Sequence, residues 1–408
     1  MGGGAGKEKD VVKNISKKDS GIFPFPQTLD PKVLLLCADV GGTSSRLHLF
    51  YAERKDKLAE QPVRHPTRKE IPESIYQMKY SNEKFDSLTE VIKVFLESSK
   101  VESIPLIACL GVAGVVVNNT SYLVNSGWKL NGDAMARELG IWRVVLINDF
   151  EAQGYGILTL NVKRECEVLQ EAPILQGAPI AVLGAGTGLG EAYLTTGTNG
   201  DYEVWPSEGG HAEFAPRQDG SDNLQFEMCQ YLQIKYSAKA RISVERIVSG
   251  RGIANIYQFL AWKFPDKVNK EIHKKFLGLR EESKQDPATV VEAANSESCD
   301  LCVQAVDLFS GAYGAEAGVV ALKYMPFGGL FLTGGVTART RDFILGRKGR
   351  DHHFLEAFLD KGRVSCMLTR VPVFVVHGED LGERGSKLKA LRLFEEAEHR
   401  RMCALGTH

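Results

Sequence analysis

Three glycine turns, each directly after an apolar run, constrain the fold more than any other feature of the chain. They are D-V-G-G-T at Asp39–Thr43, G-A-G-T-G at Gly184–Gly188 and L-T-G-G-V at Leu332–Val336. Glycine admits positive φ and lets another group approach the main chain, because it has no Cβ. Successive turn amides form a concavity that suits anions. Each turn alone is as consistent with a simple hairpin, but the three in this order predict a phosphate-binding fold.

Two familiar phosphate motifs do not account for these turns. The sequence holds no G-x-x-x-x-G-K-[ST], so no P-loop is expected. The stretch GAGTGLG fails G-x-G-x-x-G because its sixth residue is Leu189. Its surroundings also predict strand–turn–strand rather than strand–turn–helix. A Rossmann dinucleotide site is therefore not expected either.

Apolar runs alternate with amphipathic stretches in the first part of the chain. The sequence predicts strands at Val33–Ala38, Ser45–Phe50, Leu106–Val112 and Val144–Ile147, and helices at Leu88–Glu97 and Gly132–Leu139. This alternation favours an α/β fold with a mixed sheet. The stretch IAVLGAGTGLGEAYL then repeats the order strand, glycine turn, strand, as a duplicated fold unit would.

A chain of 408 residues is long enough for more than one domain. We expect a flexible polar tail over residues 1–31, a small α/β domain over 32–148 and a large α/β domain over 149–379. A basic amphipathic helix over 380–398 is expected to return to the small domain.

Charge and cysteine usage exclude several classes of function. The formal net charge of −1 gives no reason to expect a nucleic-acid or membrane partner. No apolar run reaches the ~18 residues that span a bilayer, and the N-terminus lacks the apolar centre of a signal peptide. The eight scattered cysteines indicate reduced thiols and a cytoplasmic protein. Cys299 and Cys302 form a single C-x-x-C without a second pair, which is weak support for zinc.

The turns and several further stretches resemble one family. These stretches are ADVGGTSSRL, LINDFEAQGYG, AVLGAGTGLGEA, PSEGGHAEFAP, ERIVSGRGIANIY, FLTGGV, HHFLEAFLDKGR and HGEDLGERGSKL. From about Val33 to Leu393 the chain is similar to the bacterial-type ATP-dependent glucokinases of the hexokinase, actin and heat-shock chaperone superfamily. The resemblance implies two actin-like (ribonuclease H-like) α/β domains flanking a catalytic cleft, with ATP and Mg²⁺ as cofactors, glucose as substrate and a homodimer.

The resemblance places the nucleotide at the three turns. It implies contacts from Asp39, Gly41, Gly42, Thr43, Gly186, Thr187, Gly188, Gly334 and Gly335. Thr43 and Thr187 would add hydroxyl donors to the turn amides. Asp39 would hold a hydrated Mg²⁺, because this cation prefers oxygen ligands and keeps most of its waters.

Asp149 follows an apolar strand, at the end of the strand where α/β sheets place their ligands. A carboxylate there either caps the next helix or takes part in chemistry. A sugar alcohol is a poor nucleophile, and a positioned carboxylate can accept its proton as the new O–P bond forms. The resemblance implies that Asp149 is this base and that Asn148 binds a sugar hydroxyl.

Further polar residues suit the ring of hydroxyls on a hexose, which both donate and accept hydrogen bonds. The resemblance implies sugar contacts from Glu208, His211 and Glu245, and from Asn125 in a loop. Taken singly, Glu245 could be a surface carboxylate and His211 a satisfied loop histidine. In the related zinc-containing sugar kinases a cysteine cluster follows this histidine, whereas the stretch AEFAPRQDGSDNLQFEMC after His211 holds only Cys229. Zinc and N-acetylated sugars are therefore not expected.

Some stretches depart from the family pattern or fit another explanation. Residues 52–84 and 263–288 look longer than in bacterial relatives, and we expect surface loops there. Small residues at Gly311, Ala315, Gly318 and Ala321 give one helix a smooth face, which predicts close helix packing.

Two other functions share part of this pattern. An actin-like or chaperone-like ATPase would need the glycine turns but not Asp149, Glu208, His211 or Glu245. A sugar sensor without catalysis would need the sugar residues but not Asp149. The sequence as a whole therefore predicts a glucokinase that transfers the γ-phosphoryl of Mg-ATP to the 6-hydroxyl of glucose.

Overall fold

The computed structural model describes part of the chain: Phe25 and residues 30–54, 70–197, 200–218, 223–278 and 285–404. These residues form two compact units. The first unit is built within Met1–Glu60, Lys69–Thr159 and Leu381–His408, and the second within Leu160–Asp380.

Both units contain strands and helices. The strands are β1 (Lys32–Val40), β2 (Ser44–Glu53), β3 (Tyr76–Ser81), β4 (Ile107–Val112), β5 (Thr120–Leu123), β6 (Trp128–Asn131), β7 (Arg143–Asn148), β8 (Cys166–Gln170), β9 (Ile180–Ala185), β10 (Leu189–Thr196), β11 (Tyr202–Ser207), β12 (Gly329–Thr333) and β13 (Val373–Val376). The helices are α1 (Leu88–Ser99), α2 (Gly132–Leu139), α3 (Asp149–Ile157), α4 (Val162–Glu165), α5 (Leu224–Lys235), α6 (Gly250–Lys263), α7 (Lys270–Leu277), α8 (Pro287–Asn295), α9 (Asp300–Tyr324), α10 (Gly335–Arg339), α11 (Arg341–Ile344), α12 (His353–Leu359), α13 (Ser365–Leu368) and α14 (Leu381–Ala404).

The first unit is organised around a mixed sheet, as the alternating pattern predicted. Its strand order is β3-β2-β1-β4-β7. β1 pairs antiparallel with β2 and parallel with β4, and β4 pairs parallel with β7. Parallel pairing places the carboxyl ends of β1, β4 and β7 at one edge of the sheet.

Helices cover both faces of this sheet, and β1 shows why. Leu34, Leu36 and Ala38 pack on the face that carries α1 and α2. Leu35 and Cys37 point to the other face, against Leu393 and Phe394 of α14. A strand buried on both faces reads as a continuous apolar run, which is why VLLLCA was recognisable in the sequence.

The C-terminal helix and α3 pack together within the first unit. The backbones approach closely because of glycine: a Cβ on Gly156 would lie 2.9 Å from the carbonyl carbon of Leu381.

We expected the large domain to begin at residue 149, whereas α3 belongs to the first unit. The predicted tail lies outside the described residues up to residue 24, and Phe25 packs edge-on against Trp142, with ring centroids 4.8 Å apart.

The second unit repeats the strand order of the first. Its sheet runs β11-β10-β9-β12-β13-β8. β9 pairs antiparallel with β10 and parallel with β12, and β12 pairs parallel with β13. In each sheet a central strand thus begins a hairpin on one side, and two further strands, parallel to it, follow in order on the other side. The repeat of strand, glycine turn and strand in the sequence reflects this shared topology.

The core of the second unit is built around α9. Phe309 and Tyr313 of this helix are fully buried. A Cβ on Gly314 would lie 2.6 Å from the carbonyl carbon of Phe354, and one on Gly318 would lie 2.6 Å from the carbonyl oxygen of Phe358, so this face packs against the backbone of α12. Among the described residues α9 alone is long and apolar enough to cross a membrane, by length and composition only, and 61% of its apolar window is buried inside the unit.

Two stretches predicted as surface loops contribute regular structure instead. Within 52–84, β3 pairs with β2 as an edge strand, and its mostly exposed residues gave no apolar run to detect. Within 263–288, α7 buries Phe276, whose ring centroid lies 4.8 Å from that of Tyr257. Its few apolar residues stood among lysines, so the charge hid the helix.

Candidate active site

The turn between β1 and β2 is closed by hydrogen bonds from one buried side chain. The Gly41 N–H donates to Ser44 O at 2.9 Å. The amide Nδ2 of Asn82 donates to Gly41 O at 2.9 Å, and the Ser45 hydroxyl donates to Asn82 Oδ1 at 2.7 Å. Asn82 is 2% exposed. Nothing in the sequence marked Asn82, because it lies in an ordinary polar stretch far from the turn.

Gly42 is required by close packing rather than by an unusual backbone angle. A Cβ on Gly42 would lie 3.1 Å from Cγ of Asn125 and would overlap the side-chain nitrogen of that residue. Among the predicted nucleotide glycines that the structure describes, Gly334 alone has positive φ, at 95°. The structure therefore brings Asn125, predicted for the sugar, against the predicted phosphate turn. Thr43 is exposed.

Asp39 lies one residue before the carboxyl end of β1, partly buried and close to Glu383. Burial raises the pKa of Asp39, and the carboxylate of Glu383 raises it further, against the opposing effect of Arg46 and His48. Glu383 is held by Arg46 Nη1 at 2.7 Å and by His48 Nε2 at 2.9 Å. A Cβ on Gly382 would lie 3.2 Å from Asp39 Oδ1. The carboxylate oxygens of Asp39, beside the negative charge of Glu383, fit the preference of Mg²⁺ for oxygen ligands.

Asn148 and Asp149 lie at the same sheet edge as Asp39. Val40 of β1 pairs with Val112 of β4, which pairs with Asn148 of β7. Two strand spacings separate the first and last of these residues, or about 10 Å. The sheet therefore determines the separation between the phosphate turn and the carboxylate of the predicted base.

The helix after β7 is capped by Asn148, not by Asp149. Asn148 Oδ1 accepts from the N–H groups of Phe150 at 2.8 Å and Glu151 at 3.3 Å. Its Nδ2 donates to Gly114 O at 3.1 Å, so one of its two amide hydrogens is used. Asn148 is therefore the N-cap residue, and Asp149 Oδ1 also accepts from the Phe150 N–H at 3.0 Å. Asp149 occupies the first helical position.

The second glycine turn joins β9 to β10 and is held mainly by the backbone. The Gly186 N–H donates to Gly188 O, and the Gly250 N–H donates to Gly186 O, both at 2.9 Å. A Cβ on Gly186 would meet no atom within 4 Å, so the space beside this glycine is open. Thr187 is exposed at its tip.

Glu245 links this turn to the predicted sugar residues of the same unit. The Leu189 N–H donates to Glu245 Oε2 at 3.3 Å, and a Cβ on Gly188 would overlap the same carboxylate oxygen. The other oxygen, Oε1, lies 3.8 Å from His211 Nδ1. On the far side of the imidazole, Nε2 lies 3.8 Å from Glu208 Oε2. Both separations exceed a hydrogen bond, so the imidazole lies between the two carboxylates without bonding to either.

Backbone pairing explains how residues distant in sequence meet here. The segment at Ala212 runs beside the segment at Val244, whose N–H donates to Ala212 O at 3.0 Å. Arg241 Nη1 also donates to His211 O at 2.8 Å. Glu208, His211 and Glu245 keep side-chain exposures of 60%, 61% and 28%, so all three remain accessible to a ligand.

The third glycine turn differs from the first two because a helix follows it. β12 ends at Thr333 and α10 begins at Gly335. A Cβ on Gly334 would lie 2.8 Å from the carbonyl carbon of Ala185, so this turn packs against the second turn. The buried hydroxyl of Tyr313 lies 3.0 Å from both Leu183 O and Thr337 Oγ1, which ties β9 and α10 to α9. The hairpin explanation thus holds for two of the three motifs and not for LTGGV.

Comparisons with known proteins agree on one family. The family model Glucokinase matches residues 36–393. The glucokinase of Synechocystis sp. is 39% identical over 368 residues, which cover 88% of this chain and 98% of that protein. A crystal structure of glucokinase from an Antarctic psychrotroph superposes with a TM-score of 0.68 at 26% identity, covering 88% of this chain and 99% of the other. A ROK family glucokinase from Streptomyces griseus, in complex with glucose and AMPPNP, shares the fold with a TM-score of 0.52 at 18% identity, covering 88% of this chain and 99% of the other.

Proposed function

The chain belongs to the glucokinase family, and on that premise we propose that it transfers the γ-phosphoryl group of Mg-ATP to the 6-hydroxyl of glucose, giving glucose 6-phosphate and ADP. The observation that supports this proposal most strongly is made at the end of β7. There Asn148 caps α3, and Asp149 occupies the first position of that helix. The phosphate turn lies at the same edge of the same sheet.

Asp149 acts as the general base. Its carboxylate accepts the proton of the sugar hydroxyl as the oxygen attacks the γ-phosphorus. Most of the acceleration in phosphoryl transfer comes from positioning and from stabilising charge on the transferred group. A base at the first turn of α3 is well placed for such a role, because the capped helix fixes its backbone.

Glucose is recognised by hydrogen bonds to its hydroxyls. Glu208, His211 and Glu245 form one polar cluster in the second unit. Asn125 and the second amide hydrogen of Asn148 belong to the first unit. Carboxylates accept and the imidazole and amides donate, so the set complements hydroxyl groups that do both.

ATP is bound at the glycine turns. Gly41, Gly42 and Thr43 offer amides and a hydroxyl in the first unit, and Gly186, Thr187 and Gly188 do so in the second, where Gly334 and Gly335 border the adenosine. Asp39 would hold Mg²⁺, which neutralises phosphate charge when bound. Bound Mg²⁺ would also keep the Asp39 carboxylate ionised despite its burial.

The proposal extends to the cellular compartment and the oligomeric state of the protein. All eight cysteines are free in the structure, which is consistent with the reducing cytoplasm. We also propose a homodimer, which light scattering on the purified protein tests directly: a mass of a single 44.9 kDa chain at assay concentration would contradict it.

Sugar-dependent release of ADP tests the reaction itself. With Mg-ATP, we expect release that depends on glucose and is weaker with mannose, fructose, glucosamine or N-acetylglucosamine. Release at the same rate without any sugar would indicate an ATPase. Glucose binding without ADP release would indicate a sensor. Either outcome would overturn the proposed function.

A further inference from the structure

A carboxyl group lies buried beneath the turn that carries Glu208 and His211. Glu191 is in β10 and is 3% exposed. It pairs with Leu183 of β9 and Ser207 of β11, neither of which is charged. Its Oε1 has no hydrogen-bond partner among the described residues. No step of the proposed reaction uses Glu191, so its burial needs another explanation.

Two adjacent glycines let this turn lie directly on β10. A Cβ on Gly209 would lie 2.5 Å from the carboxyl carbon of Glu191 and 3.0 Å from its Oε1. A Cβ on Gly210 would lie 3.1 Å from the carbonyl carbon of Leu189. The motif E-G-G-H therefore brings its backbone onto the strand, with the Glu191 carboxyl group filling the space beneath the first glycine.

The hydrogen bonds within the turn determine its local shape. The His211 N–H donates to Glu208 O at 2.9 Å, and the Ala212 N–H donates to Gly209 O at 2.8 Å. The Gly209 N–H donates to Ser207 Oγ at 3.0 Å. These bonds join residues that are near neighbours in the chain. The turn meets other segments through Glu191 and Leu189 of β10 beneath it, and through the bond from Arg241 Nη1 to His211 O.

The surroundings of Glu191 favour its neutral form. The pKa of Glu191 is raised to about 7, by burial first and by Glu316 of α9 second, with Lys323 of α9 opposing. Glu316 is also buried, which raises its own pKa. The charged groups on the turn, Glu208 and His211, are more than half exposed. Near neutral pH Glu191 therefore exchanges between its neutral acid and its anion, and burial disfavours the anion because it is desolvated.

We propose that Glu191 is a positioning residue for the sugar: its neutral carboxyl group holds the Gly209–His211 turn on β10 and so sets the positions of Glu208 and His211. The inference rests on the proposed function of that turn. Loss of the proton draws the carboxylate toward water and displaces the turn. Affinity for glucose then falls as Glu191 ionises. Affinity for ATP and the rate of phosphoryl transfer do not change with the ionisation of Glu191.

The test compares the wild-type enzyme with Glu191→Gln between pH 6 and pH 8.5. Glutamine keeps the shape and cannot ionise. If the anionic form does not bind glucose, wild-type KM for glucose rises about tenfold one pH unit above the pKa, because only the neutral fraction is competent. We expect this rise to be absent in Glu191→Gln, with KM for ATP and kcat alike in both proteins. Glu316→Gln removes the facing charge and should move the rise to lower pH.

The matched control is Glu203→Gln in β11, a partly exposed carboxylate of the same sheet, which should keep the wild-type profile. Thermal unfolding of each variant reports on folding separately. A Glu191→Gln enzyme with the wild-type profile of KM for glucose, or with equal changes in KM for both substrates, would overturn the inference alone. A wild-type enzyme that phosphorylates no glucose would overturn the proposed function, and this inference with it.

Discussion

The two sheets share their strand order, yet their first turns are held by different means. In the first unit, polar side chains from elsewhere hold the turn: Asn82 bonds to Gly41, and Asn125 packs on Gly42. In the second unit, backbone bonds hold Gly186, which faces open space, and a single side chain, Glu245, accepts from the Leu189 N–H at the end of the turn. A repeated topology therefore fixes where a turn lies, whereas the surrounding residues determine what can approach it.

The fifth strands of the two sheets lead into different segments. β7 passes directly into α3, so that Asp149 occupies the first helical position at the sheet edge. β13 ends at Val376 and is followed by His377-Gly378-Glu379-Asp380 before α14 begins. Only the first arrangement places a carboxylate on a capped helix immediately after the strand, and this is where we propose the base.

The largest expected effect comes from removing the carboxylate that follows β7. Asp149→Asn removes the base but keeps the size of the side chain, and Asn148 still caps α3. We expect kcat to fall by roughly 10²–10⁴ because general-base catalysis is lost, with KM for glucose changed little. Steady-state kinetics measure this, with Glu97→Gln, an exposed carboxylate of α1, as the control. Near-normal turnover would show that Asp149 is not the base.

Alanine at one glycine of each turn tests the difference between the first two turns. Gly42→Ala places a methyl group on Asn125, and such overpacking costs about 1–3 kcal/mol. Gly186→Ala enters open space, so its melting temperature should match that of the wild type, while KM for ATP rises because the methyl group occupies the approach of the phosphates. Differential scanning fluorimetry and kinetics separate the two effects.

A second substitution checks the cause of the Gly42→Ala effect. Asn125→Ala in the Gly42→Ala background removes the side chain that the methyl group meets. The double variant should recover part of the lost melting temperature, since contacting residues are not additive. Equal losses in stability from Gly42→Ala and Gly186→Ala would contradict the difference drawn between the two turns.

The smallest expected effect concerns the side chain that holds the first turn. Asn82→Ala leaves Gly41 O and the Ser45 hydroxyl without this partner, at a cost of about 1–3 kcal/mol, and should raise KM for ATP. Asn269→Ala, which removes the N-cap of α7 in the second unit, is the control: it should lower stability by about 1 kcal/mol without changing KM for ATP. Similar effects of both variants on KM would argue against a specific role for Asn82.

Local pattern was enough to recognise the elements with strong apolar runs. β1 and β9 were readable because strands buried on both faces show continuous apolar stretches. β3 and α7 were missed, because β3 is an exposed edge strand and α7 buries few residues among many charges. The same limit applies to Asn82 and Glu191, whose importance depends on contacts with distant residues.

The sequence by itself determined the family, the mixed α/β topology with its repeated glycine turns, and the residue types suited to phosphate and to a hexose. Only the tertiary structure decided that Asn148 caps α3 in place of Asp149, that Gly42 and Gly209 are required by side chains packed on them, and that Glu245 contacts both the second turn and the imidazole of His211. The reason is physical: local propensity and periodicity are written in consecutive residues, whereas close approach depends on which distant segments the sheet brings together.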